Sequence, residues 1–256
     1  MNERTTAIVE HVLREGEVSV EALARRLGVS PSTVRRDLAQ LEHQGLVRRT
    51  HGGAVAVSPL LYEPFRHDSS FQEQEGRHAD EKRRIGLAAA ELVRDGETIG
   101  LTPGTTATQV ARSLRHRKDI TVVTSTVNVA MELCNREDLS VYVTGGYLRG
   151  GWFSLVGAPA ARGAGELFLD KIFIGVNAID AERGLTCLHP DEAAINRALV
   201  TQARERIVVA DRSKLGRVAR CLFCPTSEVQ MLITDKDASD EQVRPFVERG
   251  VEVRRA

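Results

Sequence analysis

The chain has 256 residues and a mass of 28.1 kDa, with 42% hydrophobic and 27% charged residues, enough for one large or two modest packed domains and too apolar for a disordered chain. No apolar run approaches the ~20 residues that span a bilayer, and the N-terminal run MNERTTAIVEHVLREGE lacks the apolar centre of a signal peptide, so no membrane partner is expected. Charge is balanced at 35 basic and 35 acidic residues, which removes any overall basic signal for nucleic acid, and 4 cysteines do not make a disulfide framework, which fits a cytoplasmic location.

In chain order, Ile8, Val12 and Leu13 form a helical stripe ended by Gly16. Val20, Leu23, Ala24 and Leu27 mark a short second helix stopped by Gly28. Ser30 followed by Pro31 is a hydroxyl cap and a first-turn proline, and PSTVRRDLAQLEHQG then places Val34, Leu38 and Leu41 on one face until Gly45. LVRRT-HGG-AVAV reads as two strands around a glycine turn. A short helix, a tight turn and a third helix with polar residues at its start describe a helix-turn-helix, with the hairpin as its wing. In that arrangement Ser32 and Thr33 can contact phosphate or base edges, and Arg35 and Arg36 can bridge phosphates or read guanine. Arg48, Arg49 and His51 would follow the flanking backbone. Arginine pairs on helices are also ordinary solvated faces, and the block carries 8 Arg against 7 acidic residues, so spacing alone leaves both readings open.

The run VSPSTVRRDLAQLEHQGLVRRTHGGA resembles the N-terminal signature of the DeoR family of bacterial transcriptional regulators, through its S-x-x-T-x-R-R-D core and H-G-G-A wing. That resemblance implies a winged helix-turn-helix, a partner in double-stranded operator DNA, and DNA-binding roles for Ser30, Ser32, Thr33, Arg35 and Arg36. Asp37 also matches, but a carboxylate facing phosphate is repelled, so it is assigned to orienting an arginine or to the fold.

Residues 58–79, with two prolines and no sustained period, read as a linker between domains at 1–57 and 80–256. Beyond it, helices and apolar strands alternate: a helix over EKRRIGLAAAELVRD, strand TIGLT, a helix at 106–116, strand ITVVT, helix NVAMELC and strand SVYVTGG. There follow a short helix near 158–166, strand KIFIGV, a helix at 190–204, strands RIVVAD and VQMLIT, a helix at 240–249 and strand VEVR. The pattern predicts an α/β fold with a mainly parallel, Rossmann-like sheet covered on both faces, and ligands outside the carboxyl ends of its strands.

Small polar groups collect at those ends. Pro103-Gly104-Thr105-Thr106 opens a helix, Thr124-Ser125-Thr126 follows the second strand, and Gly145-Gly146 follows the third. A Gly-Thr-Thr loop at a helix start offers N–H groups, hydroxyls and a positive dipole end to a phosphate, without matching a Walker or dinucleotide pattern. Any one such loop is also ordinary turn chemistry; three in succession carry more weight. Lysines are scarce, 5 against 30 arginines, and Lys82 and Lys214 fall near the strand ends. Lys171, at the far end of its strand, reads as structural. Asn177, Asp180 and Glu192 could bond sugar hydroxyls, or could cap turns and helices.

This half resembles the DeoR effector domain through EKRRIG, GTT, VVTS, TGG, IGVNAID, DEAAIN, VADRSKLG and LITD. The resemblance implies a fold related to ribose-5-phosphate isomerase and a phosphorylated sugar effector. It makes Lys82, Gly104, Thr105, Thr106 and Lys214 phosphate-side candidates, and Asn177, Asp180, Glu192 and Asp211 sugar-side candidates, with Thr124, Ser125, Gly145 and Gly146 completing the effector-binding set. Two departures, Leu101-Thr102-Pro103 where many members have an Asp and Thr124-Ser125-Thr126 where T-N-S is usual, put the effector's identity in question, and the resemblance in the LTPGTT and NAID details leans toward the branch regulating amino-sugar or sugar-alcohol use.

A sugar-phosphate isomerase with an appended DNA-binding domain is the competing class, with Glu192 as base and Lys214 as electrostatic partner. The isomerase D-G-A-D-E segment stands here as Asn177-Ala178-Ile179-Asp180, one carboxylate replaced by an amide, which favours binding over catalysis. Cys221 and Cys224 have ligand spacing, and Cys187 lies near His189, but a second close pair is missing, so no metal and no cofactor is expected. The chain is expected to be a repressor and not an enzyme, acting as a homo-oligomer, dimer or tetramer, on operator DNA.

Overall fold

The computed structural model describes residues 3–43, 47–56 and 69–256, and the chain divides into two compact units, Met1–His67 and Asp68–Ala256. Among the described residues no helix is long and apolar enough to cross a membrane.

The first unit runs α1 (Glu3–Glu15), β1 (Glu17–Ser19), α2 (Val20–Leu27), α3 (Pro31–His43), β2 (Val47–Arg49) and β3 (Gly53–Ala56). Its core is the expected apolar stripe: Ile8, Val12, Leu23, Val34, Leu38 and Leu41, closed by Val18, Val47 and Ala54 from the strands. Ser19 caps α2 by accepting the Ala22 N–H at 3.1 Å, and Gly28, at φ 65°, ends it in the left-handed region. The Leu13 side chain and Gly45 lie outside the described residues.

The wing is a three-stranded sheet in the order β1-β3-β2, so the hairpin has a partner that periodicity did not reveal. Only three residues long, β1 packs a single side chain, Val18, into the core. Gly53 shows why the wing turn needs glycine: a Cβ there would stand 1.9 Å from the Val18 carbonyl oxygen.

The second unit opens with a difference from expectation. Residues 57–68 lie outside the described residues, but the rest of the stretch read as linker is ordered, with α4 (Ser69–Gly76) running directly into α5 (Ala79–Ala90). Phe71 anchors α4: it is buried, with its ring edge-on to Trp152 and Phe153 at centroid distances of 6.2 and 5.2 Å. One aromatic in a polar octet leaves no periodic signal.

There follow β4 (Thr98–Leu101), α6 (Thr105–Ser113), β5 (Ile120–Thr124), α7 (Val127–Leu133), β6 (Leu139–Val143), β7 (Tyr147–Arg149), β8 (Ser154–Val156) and α8 (Ala158–Ala164). The chain continues through β9 (Leu169–Ile174), β10 (Ala178–Asp180), β11 (Gly184–Cys187), α9 (Pro190–Thr201) and β12 (Ala203–Val209). It ends with β13 (Cys221–Cys224), β14 (Met231–Thr234), α10 (Asp240–Val247) and β15 (Glu252–Arg255).

Seven strands form one all-parallel sheet in the order β15-β14-β12-β9-β4-β5-β6, the fold class expected. Both faces of the five inner strands are largely buried, which accounts for their apolar runs, while the edge strands β6 and β15 are half-exposed. Along β9, Ile172 and Ile174 face a core shared with Ile195, Leu199 and Phe246, while Phe173 faces the opposite core with Ile85, Val110 and Leu114. Phe173 is fully buried, so its truncation to Ala is expected to cost about 3–5 kcal/mol.

The chain leaves β4 toward β5 and β6 and leaves β9 toward β12, β14 and β15. The strand order therefore reverses between β4 and β9, which pair directly with Ile99 opposite Lys171. Two small antiparallel additions, the β7–β8 hairpin and the sheet β10-β11-β13, supplement the main sheet.

Candidate functional site

At the start of α3 three hydroxyls converge. Ser30 Oγ accepts the Thr33 N–H at 3.2 Å and lies 2.8 Å from Ser32 Oγ and 2.9 Å from Thr33 Oγ1. The first turn of α3 contains no acidic residue, so its positive dipole end and this hydroxyl cluster face solvent without a competing charge. Ser32, Arg35, Arg36, Arg48, Arg49 and His51 are exposed and Thr33 is half-buried. Arg35 approaches Glu21 at 3.9 Å, and Arg49 donates its backbone N–H to Glu42 at 2.8 Å. Both are surface contacts of small energy that a phosphate can replace.

Asp37 is different. It is buried and accepts Nε and Nη2 of Arg4 at 2.7 and 3.0 Å, a two-pronged bond that ties α3 to α1. It belongs to the fold, one of the two roles assigned to it.

In the second unit a narrow crevice of about 30 Å³, partly open to solvent, lies where the strand order reverses. Pro103 and Gly104 after β4 and Gly175, Val176 and Asn177 after β9 form two walls; Trp152 and the start of α9 complete it. The walls are stitched by the Gly175 N–H donating to Thr102 Oγ1 at 2.8 Å. Gly104 holds φ 140° and ψ 153° immediately before α6, a conformation open essentially to glycine alone. Thr105 and Thr106 are buried in the first turn of that helix, whose leading N–H groups have no intrahelical acceptor.

Across the crevice, His189, Glu192 and Asn196 project from one face of α9. Arg149, from β7, donates to Glu192 Oε1 at 2.9 Å. Burial pushes the Glu192 carboxyl above the ordinary carboxylate range, against the opposing pull of Arg149 and His189. Asn177 is oriented by accepting the Leu188 N–H on Oδ1 at 3.2 Å.

Lys82, Asp211 and Lys214 form a second group, outside the crevice lining. Lys82 is 2% exposed and donates to the Gln74 carbonyl of α4. Burial lowers its ammonium pKa; Asp211 opposes that shift and Lys214 adds to it. Asp211 accepts the Ser213 N–H at 3.0 Å and the Ser213 hydroxyl on Oδ1, while its buried Oδ2 has no partner. Lys171, at the far end of β9, pairs with Glu97.

The remaining candidates stand apart from the crevice. Thr124 is fully buried, donating to the Leu101 carbonyl at 2.9 Å and accepting the Thr126 N–H at 3.2 Å, so its hydroxyl stitches β5 to β4. Ser125 is equally buried, its carbonyl accepting the Leu155 N–H at 2.7 Å. Gly145 and Gly146 make the exposed turn into β7 at φ 71° and 109°. Asp180 closes the β10–β11 turn, its Oδ1 accepting the N–H groups of Glu182 and Arg183, both at 2.9 Å. It lines a separate cavity with Ala181, Gly216 and Phe246.

Among the described residues, no three His, Cys, Asp or Glu side chains converge as a metal would require. Cys187 and Cys221 are opposite each other in the β11–β13 register, and burial pushes the Cys187 and Cys224 thiols up to about 11 and about 12.

Four residues at or beside the crevice were not singled out as binding groups from the sequence: Arg149, Trp152, His189 and Asn196. His189 and Asn196 could have been found, because they lie three residues before and four after Glu192 and so share its helical face. Arg149 and Trp152 sit in a hairpin whose placement no local pattern specifies.

The family model "DeoR C terminal sensor domain" matches residues 77–236, and "DeoR-like helix-turn-helix domain" matches residues 4–59. The chain is 37% identical to the "HTH-type transcriptional regulator GlpR" of Haloferax volcanii, over 98% of this chain and 96% of that one. It is 34% identical to the "Glycerol-3-phosphate regulon repressor" of Escherichia coli K12, over 91% of this chain and 90% of that one. Among solved structures, ribose 5-phosphate isomerase A of Methanocaldococcus jannaschii aligns with a TM-score of 0.39 at 21% identity over 54% of each chain.

Proposed function

Because the chain belongs to the DeoR family of helix-turn-helix transcriptional regulators, we propose that it represses a carbohydrate catabolic operon and leaves its operator when a phosphorylated sugar occupies the second unit. The observation that carries this reading is the crevice at the strand-order reversal, walled by Gly104 after β4 and by Glu192 and Asn196 of α9. It accompanies, in the same chain, an exposed face of hydroxyls and arginines on α3 and the wing.

On this reading Arg35 and Arg36 enter the major groove with Ser32 and Thr33, while Ser30 holds the helix start and Arg48, Arg49 and His51 follow the backbone. Two or more copies engage repeated half-sites. The effector's phosphate is met by Lys82, Lys214 and the α6 start at Gly104, Thr105 and Thr106. Its hydroxyls are met by Asn177, Glu192 and Asp211.

Lys82 gives this scheme a physical driving force. Its ammonium is buried beside a second lysine, so an arriving dianion relieves both the burial and the like-charge penalty. The relative named as a glycerol-3-phosphate regulon repressor points to small phosphorylated polyols as the ligand class. Glu192, the base an isomerase would need, is engaged by Arg149, and the reading adopted is a sensor in place of an enzyme.

The test is fluorescence anisotropy of labelled DNA from the region upstream of the gene and its neighbours, titrated with the protein alone and with sugar phosphates, each paired with its unphosphorylated sugar. Release by phosphorylated members only is the expected result. For a coupling of ~1–3 kcal/mol the operator Kd rises about 5- to 150-fold. Release by unphosphorylated sugars, or by none of a broad panel, overturns the effector assignment and leaves the family membership untouched.

A further inference from the structure

The geometry points to Asn196 as the specificity-determining residue of the crevice, one that selects ligands presenting a hydroxyl or amine donor at the end away from the phosphate. This rests on the proposal that the crevice takes a sugar phosphate and names the part of the ligand that decides among them.

Asn196 lines the crevice from α9 and is 4% exposed, yet its Oδ1 is buried with no hydrogen-bond partner. A buried amide oxygen left unpaired is destabilising, and protein structures rarely tolerate one unless something else satisfies it. The oxygen can only accept, so a group that completes it must donate, as a hydroxyl or an amine does.

Its neighbours on the same helical face sharpen the requirement. Glu192, one turn earlier, is 7% exposed, and Arg149 engages its Oε1. This end of the crevice therefore offers acceptors, and the cation nearest to it is already paired. A phosphate here would meet a carboxylate, whereas a polyol or amino-sugar end would meet two acceptors. Trp152 supplies an apolar wall for the C–H surface of the same ligand.

The cationic end is separate. The charges that act on Lys82 are Asp211, Lys214, Glu75 and Arg77, while those that act on Glu192 are Arg149, His189 and Asp191. The two sets share no member, so the acceptors at Glu192 and Asn196 and the lysine group are electrostatically distinct.

The test measures calorimetric Kd values on the full chain for inorganic phosphate, glycerol 3-phosphate, glucose 6-phosphate, 2-deoxyglucose 6-phosphate and glucosamine 6-phosphate. The proteins are wild type, Asn196→Leu, Asn196→Asp and Lys214→Ala. Asn196→Leu is expected to weaken the tightest-binding organic phosphate by about 5- to 150-fold while leaving inorganic phosphate within twofold. Lys214→Ala weakens both. The near-isosteric Asn196→Asp keeps the fold if Asn196→Leu loses it, and shifts preference toward glucosamine 6-phosphate over glucose 6-phosphate. Organic-phosphate binding that both Asn196 variants leave within twofold of wild type, or equal weakening of inorganic phosphate, overturns the assignment of Asn196 alone. Failure of every phosphate to bind wild type overturns it together with the sugar-phosphate reading.

Discussion

In the first unit, the groups expected to meet DNA lie between Ser30 and His51 and are almost all exposed. In the second, the crevice gathers Gly104, Trp152, Asn177, Glu192 and Asn196 from four separate segments, and two of those side chains are buried. The contrast is physical. A surface that reads a long polyanion needs charges and hydroxyls spread along one helix and one hairpin, which a contiguous stretch can supply. A pocket that excludes water from a small ligand needs walls on several sides, and only distant segments can provide them. The two units should therefore fail independently, and the variants that matter are those that would show otherwise.

The largest effect is expected at Gly53. Gly53→Val puts side-chain carbon against the Val18 carbonyl and parts β3 from β1, which should abolish operator binding. Even Gly53→Ala should cost the first unit about 1–3 kcal/mol. Thermal stabilisation by a bound sugar phosphate should survive both changes; its loss would show that the units are one cooperative structure.

Next come Arg35→Ala and Arg36→Ala. Each should weaken operator binding about 5- to 150-fold with ligand affinity unchanged. The slope of log Kd against log salt should fall by about one for each DNA phosphate the variant no longer neutralises. Lys214→Ala should do the reverse, leaving a repressor that binds DNA and ignores its effector, as a paired anisotropy titration would reveal.

A smaller effect separates structure from site at β5. Thr124→Val removes the hydroxyl that bonds Leu101 and Thr126 and should lower stability by about 1–3 kcal/mol in denaturant titration, with effector Kd unchanged. A change in effector Kd would return Thr124 to the binding set.

The smallest concerns pH. Glu192's carboxyl is raised from 4.5 by burial, so over the window above 4.5 the folded state holds a proton that the unfolded chain has released. Stability contributed by this group is full below the window and declines as pH climbs through it. Glu192→Gln should flatten that decline in urea midpoints measured across the window, and an unchanged slope would assign the pH dependence elsewhere.

All seven strands of the main sheet were legible in the sequence: burial on both faces writes the inner ones as apolar runs such as ITVVT or KIFIGV, while the edge strands β6 and β15 alternate as SVYV and VEVR. The helix-turn-helix was legible for a similar reason, with caps at Ser30 and Gly28 marking its turn. What escaped were elements held mainly by partners far away in sequence. Residues Glu17–Ser19 become β1 only because Gly53 allows close approach, and Ala178–Cys187 folds as a hairpin whose edge is completed by Cys221–Cys224. The site followed the same division. Gly104 and Glu192 announced themselves through local chemistry, while Arg149 reaches Glu192 from a hairpin that periodicity does not mark. Asp180 and Thr124 lie outside the crevice lining, one capping a turn and the other stitching β5 to β4, and in one dimension such residues look the same as ligand contacts.

The pairing of Ile99 with Lys171, at the heart of the second unit, also sets a clock. The first unit is built entirely from its own short stretch of chain, so it can fold as soon as that stretch is made. The central pairing of β4 and β9 must wait for about seventy intervening residues, and loops of that length close slowly. During synthesis the DNA-reading half should therefore mature well before the crevice closes. On the proposed function, a chain interrupted within the second unit is expected to keep the DNA-reading unit and lack the effector response.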